Sequence, residues 1–339
     1  MIRRPFLILY DFWTRPIAAS PLALSRILFG IVGILMISMT LLPRVERDFG
    51  PDGLSPLEAL EPWYDRTHRV DLLRGPQHVP LLEDLFGAES KRAWRDWGDE
   101  PRNARVVMLG WVFAIAGMTV GLGTRFCCLV VWALSVSFCN RLAWITNGGD
   151  SLYRTATFYL LIAPCGATWS VDARLRARRR LRRGLAPPTQ SAGESATIAP
   201  WPVRLMQIQL VCMYLFTGLY KCEGDWKTGE AAYWILNDVV IARWSYAQLP
   251  VPMFFCRLAS WGTLIFEVGF AAFVLFPRTR RLVLLVGVAF HAGIWATIEV
   301  GWFGQVCLCW YPIFVGGRTV DRLGRWSYNL LRPKTSSGN

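Results

Sequence analysis

Arginine punctuates this chain in a way that fixes its fold class. Eight apolar runs, roughly Ser20–Leu42, Ala104–Leu122, Arg125–Thr146, Ser151–Thr168, Trp201–Tyr220, Met253–Phe276, Leu282–Ile298 and Trp302–Val315, are separated by gaps, and every second gap is basic. If the runs alternate in direction, Thr124-Arg125, the stretch Arg174 to Arg183, the Arg278–Arg281 turn and the tail after Gly317 share one side. The N-terminus, with Arg3, Arg4 and Arg15, falls on that side too. About 20 apolar residues in a helix cross ~30 Å of hydrocarbon, and short basic loops stay cytoplasmic. The expectation is an all-α polytopic membrane protein: a bundle of about eight transmembrane helices in the cytoplasmic (inner) membrane, both termini cytoplasmic.

Composition agrees. Hydrophobic residues make up 53% of the 339, and 17 are Trp. The net charge of +13 sits beside apolar runs, which marks topology and argues against a nucleic-acid partner. Cys127, Cys128, Cys139, Cys165 and Cys212 lie inside apolar runs, where Cys acts as a small hydrophobe. Cys307-Leu308-Cys309 is too cramped and apolar for zinc, so no metal is expected. No cleavable signal peptide is evident: six residues separate Arg3-Arg4 from Asp11.

One transmembrane domain is expected over 1–339. Residues 43–103 form an extracytoplasmic cap, 184–200 a disordered low-complexity cytoplasmic linker and 317–339 a cytoplasmic tail. The tight link Glu299-Val300-Gly301 makes the last two runs a hairpin. No run reads as an inverted copy of another, which weighs against a secondary transporter. Hydrolase, P-loop, zinc-protease and haem-pair motifs are missing.

Chemistry concentrates where the fifth run ends, at Tyr214-Leu215-Phe216-Thr217-Gly218-Leu219-Tyr220-Lys221-Cys222-Glu223-Gly224-Asp225-Trp226. Of 37 Lys plus Arg only Lys91, Lys221, Lys227 and Lys334 are Lys. A guanidinium keeps its proton, whereas a partly desolvated ammonium can serve as a proton acceptor. Lys221 is therefore the candidate base, with snorkelling at a helix end as the plainer account. His291, mid-run between Phe290 and Ala292, is either a ligand group or a helix-packing hydrogen-bonder. Gly287 lies four residues before it and would leave room beneath the imidazole. Glu267 is buried in the sixth run, ~20 Å below the outer surface against ~12 Å for His291, so their pairing would need tilt. Arg141, Asp150 and Arg154 cluster at the outer mouth as a gate, a substrate funnel or a rim salt-bridge network. Arg26 snorkels towards the cytoplasmic headgroups.

Collinear with these residues run Ser25-Arg26-Ile27-Leu28-Phe29-Gly30, Gly121-Leu122-Gly123-Thr124-Arg125, Trp169-Ser170-Val171-Asp172, Glu267-Val268-Gly269-Phe270, Arg278-Thr279-Arg280 and Phe290-His291. From Pro21 to about Val315 the set resembles the horizontally transferred transmembrane domain family, whose best-known member is vitamin K-dependent gamma-carboxylase. The resemblance implies a lipid-soluble quinone or hydroquinone as cofactor, Lys221 as the base for its oxygenation, and an extracytoplasmic active side. Asp150, in Asn147-Gly148-Gly149-Asp150-Ser151, stands where the carboxylase has its carboxylation His. Residues 43–103 hold no Cys for the family's disulfide, and the sequence ends soon after the membrane part. These departures weigh against peptide carboxylation and leave quinone chemistry as the expectation.

Two readings follow. In the first, a membrane hydroquinone binds between helices, Lys221 deprotonates it for reaction with O₂, and His291, Glu267, Asp150, Arg141, Arg154 and Trp226 position it. In the second, which the resemblance also allows through bacterial accessory and immunity proteins, the chain is a non-catalytic module whose outer loops bind a partner protein. A cavity lined by both Lys221 and His291 separates them. Membrane lipid is a partner in either case, and the sequence gives no oligomeric state.

Overall fold

The computed structural model describes residues 10–50, 52–60, 71–74, 88–185, 196–245 and 247–331. Parts of the expected cap (51, 61–70, 75–87), most of the linker (186–195) and the end of the tail (332–339) lie outside the described residues.

Helices dominate. In chain order they are α1 (Ser20–Asp48), α2 (Ala88–Asp99), α3 (Pro101–Val120), α4 (Thr124–Arg141), α5 (Gly148–Ile162), α6 (Val171–Arg182) and α7 (Trp201–Tyr220). The short α8 (Gly224–Thr228) and α9 (Ala231–Asn237) follow, then α10 (Met253–Phe273), α11 (Pro277–Thr297), α12 (Phe303–Trp310) and α13 (Gly317–Leu331). Five of these, α1, α3, α7, α10 and α11, are long and apolar enough to cross a membrane. The other three expected spans are helical but shorter: α4, α5, and α12 with its 3-10 continuation Tyr311–Phe314. The first span outruns its expected end at Leu42, because a π-helical turn over Ile37–Leu41 carries the helix on to Asp48.

Local chemistry sets the boundaries. Gly121 adopts φ +74°, which only glycine takes cheaply, and its N–H closes α3 on the carbonyls of Gly117 and Met118. Ser170 caps α6 by accepting from the Ala173 N–H at 3.0 Å. Proline occupies the first turn of α3, α7 and α11, where its missing N–H costs nothing.

The chain divides into two compact units. The first comprises Met1–Ser25, Ala163–Val300 and Leu308–Asn339. Here α10 packs along α7 and then against α11, and α8 and α9 lie on α10. The linker's end is ordered, contrary to expectation: Thr197–Ile198 pairs antiparallel with Ile17–Ala18 as strands β2 and β1. Backbone pairing there satisfies amides that a coil would leave to water. The tail begins as α13, in contact with β1.

The second unit comprises Arg26–Ile162 and Gly301–Cys307. Its helix α4 packs on both α3 and α5. Trp111 of α3 stacks on Phe138 of α4 with centroids 5.0 Å apart. Arg26 does not snorkel; it is fully buried, because the helix buries that face instead of turning it to headgroups.

Candidate functional site

The first unit brings Lys221 and Glu267 together. Lys221 is the residue after α7, and its N–H bonds the Gly218 carbonyl. Its Nζ donates to both carboxylate oxygens of Glu267 at 2.7 Å. Glu267 is buried, while the Lys221 side chain keeps 22% of its surface exposed. The ammonium also lies 5.3 Å from the Trp226 ring centroid, a cation–π distance. Lys221 does not snorkel into solvent; its charge is held inward by a carboxylate and a ring.

Glu267 meets the residue that follows α7 for a structural reason. The first turns of α10 run beside α8 and α9. Trp261 Nε1 donates to the Lys227 carbonyl at 3.1 Å. The Ser260 hydroxyl joins the Ala232 N–H at 2.9 Å and the Gly229 carbonyl at 3.1 Å. Glu267, two turns further on, is thereby level with the end of α7. Its partner is Lys221, not His291.

His291 belongs to a separate hydrogen-bonded cluster. Its Nε2 is 2.6 Å from the Tyr214 hydroxyl, which is 2.9 Å from the Tyr311 hydroxyl. The imidazole is buried. Phe270 packs on Tyr214 at 4.2 Å between centroids, and Phe266 meets Tyr214 edge-on at 5.5 Å. The room expected beneath the imidazole is taken: a Cβ on Gly287 would collide with the Tyr311 hydroxyl oxygen. Gly287 admits Tyr311, not a ligand. Tyr214 and Lys221 sit seven residues apart on one face of α7, ~10 Å along the axis.

An open cleft of about 620 Å³ is lined by Tyr220, Glu223, Asp225, Trp226, Trp234 and Ile235 among others; Lys221, Glu267 and His291 do not line it, so it is not the expected cavity shared by Lys221 and His291. Trp226 serves both places, forming a cleft wall and facing the ammonium. The cleft offers flat aromatic surfaces, and the acid–base pair reaches it through Trp226.

Arg141, Asp150 and Arg154 belong to the second unit. The expected rim network among them does not form. Arg141 is fully buried and pairs with Asp99, a residue the sequence reading passed over, and Asp99 also accepts the Leu57 N–H at 3.0 Å. Asp150 builds the start of α5. Its carboxylate accepts the Asn147 N–H at 2.9 Å while Asn147 Oδ1 accepts the Gly149 N–H at 2.7 Å, the reciprocal pattern of a capping box. Arg154 stands half-buried four residues on.

Two contributors escaped the sequence reading, Tyr311 and Asp99. A lone hydroxyl-bearing ring in an apolar run was the available signal for Tyr311; nothing local marked Asp99. The HTTM domain profile matches residues 99–317, well over half of the chain. No solved structure matches it.

Proposed function

The chain belongs to the HTTM domain family, and from that premise we propose that it is a membrane enzyme acting on a lipid-soluble hydroquinone at the outer end of α7. The observation that carries this is the Lys221–Glu267 pair beside an aromatic cleft. A hydroquinone hydroxyl seated against Trp226 gives its proton to Lys221 as Lys221 passes one of its own to Glu267. The products are a phenolate beside a retained ammonium, and a neutral buried carboxyl. General-base assistance of this kind is worth ~10²–10⁴-fold, and the resulting anion is the species that reacts with O₂. His291 serves the reading as a packing hydrogen-bonder and not as a ligand.

On the same reading the protein sits in the cytoplasmic membrane with eight spans, both termini cytoplasmic and the cleft extracytoplasmic. The test is oxygen uptake by the purified protein given a menaquinol-type hydroquinone, alongside mass spectrometry of the extracted lipids. Lys221→Arg keeps charge and bulk but removes the proton acceptor. Full oxygen uptake by that variant, or none by the wild type, overturns the proposal.

Two observations favour a second reading, a non-catalytic module that binds a partner at its outer face. His291 and Gly287 plug into Tyr214 and Tyr311, and Val239 and Val240 after α9 stand almost wholly exposed. Contiguous exposed apolar side chains mark interaction sites.

A further inference from the structure

At the opposite end of α7 two arginines share one small cavity. Arg204 stands in the first turn of α7 and Arg280 in the first turn of α11. Both line a cavity of about 180 Å³, with Pro21, Leu22, Ile313 and Phe314 among its apolar walls. Among the described residues, every hydrogen bond these guanidiniums make goes to a neutral acceptor. Arg204 Nη1 donates to Gln207 Oε1 at 2.8 Å and its Nε to the Phe12 carbonyl at 3.3 Å. Arg280 donates to the carbonyls of Val274 at 2.8 Å, Leu275 at 3.0 Å and Phe314 at 3.5 Å. Neither has a carboxylate within ion-pair distance among the described residues.

Two like charges in a partly desolvated space are costly without a counter-ion. The cavity wall also includes Gly316 and Gly317, where α13 begins. A helix start leaves its first amides unpaired and carries partial positive charge. At ~180 Å³ the cavity falls below the ~300–1,000 Å³ of sites for drug-sized ligands. It suits one compact group. We propose that it is an anion site for a phosphate group, supplied by the headgroup of an anionic phospholipid or by free phosphate. Basic pockets between membrane helices bind such headgroups by the same physics, and guanidinium forks match phosphate oxygens. The proposal is independent of the hydroquinone reading.

The test follows thermal unfolding of the full-length protein in detergent, at constant ionic strength, with added phosphatidylglycerol, phosphatidylcholine or inorganic phosphate. Stabilisation by phosphatidylglycerol alone identifies the lipid headgroup, and stabilisation by inorganic phosphate as well identifies free phosphate. Arg204→Gln leaves the Arg280 bonds to the Val274, Leu275 and Phe314 carbonyls intact and should weaken the response by about tenfold. Wild-type protein stabilised no more by either anion than by phosphatidylcholine overturns the proposal without recourse to any variant. An undiminished response in folded Arg204→Gln protein also overturns it.

Discussion

Gly218 of α7 lies against Glu267 of α10 with no room for a side chain: a Cβ there would stand 3.1 Å from the Glu267 Cβ and 2.9 Å from a Val268 methyl. That contact lets Lys221, one turn on, reach the carboxylate. Gly218→Leu should push α7 off α10, cost about 1–3 kcal/mol as overpacking does, and break the Lys221–Glu267 bond. Thermal unfolding and oxygen uptake should fall together; a variant that loses neither contradicts the packing account.

Glu267→Gln separates acid–base chemistry from packing. The amide keeps the shape and can still accept from Lys221, but it cannot take a proton. Oxygen uptake should drop by about 10²-fold or more. The stability loss should be about 1–2 kcal/mol, less than the 3–5 of a fully buried pair, since the Lys221 side chain keeps 22% of its surface exposed. Uptake within twofold of wild type would assign the pair a structural role.

The tyrosine cluster makes an opposite prediction. The Tyr214 hydroxyl bonds both His291 and Tyr311, so Tyr214→Phe should cost about 1–3 kcal/mol and Tyr311→Phe less. The double variant should cost less than the sum, because both changes break a shared bond. Oxygen uptake per folded molecule should persist in all three, and in His291→Ala. Selective loss of uptake in folded His291→Ala protein would return that residue to the reaction.

Legibility divided along a physical line. Helix positions could be read because hydrocarbon demands long apolar runs, and the motif residues could be read as a set. Their individual roles could not. Arg280 and Thr279 read as family motif, yet they bond the carbonyls at and just after the end of α10, Thr279 that of Phe273 at 2.6 Å. Lys221 was recognisable from the scarcity of lysine, but its partner was not. Depth counts assume that helices start at a common plane, and α10 starts beside α8 and α9. The cluster of Tyr214, His291 and Tyr311 joins residues 97 positions apart, a separation that periodicity cannot span.

Asp150 offers a test of capping against chemistry. Asp150→Asn retains an acceptor for the Asn147 N–H and removes a half-buried charge, so stability should stay near wild type. Asp150→Ala should lose about 1 kcal/mol. Equal thermal midpoints for the two variants would refute the capping role.

Topology is open to the same directness. Reporters inserted within residues 184–200 should read cytoplasmic, and those between Asp238 and Pro250 extracytoplasmic. Reversed signals would place the Lys221 cleft on the wrong side for the proposed reaction.

The interlock of Gly287 with Tyr311 has a consequence for biosynthesis. Tyr214, Gly287 and His291 all leave the ribosome before Tyr311, so the helices that hold the cluster enter the membrane with one seat vacant. The first unit draws on three stretches of chain, the last beginning at Leu308. Its closure therefore waits for synthesis of the stretch that begins at Leu308. Substitutions in Tyr311–Phe314 should act late, trapping a protein that has inserted every earlier helix yet has not locked.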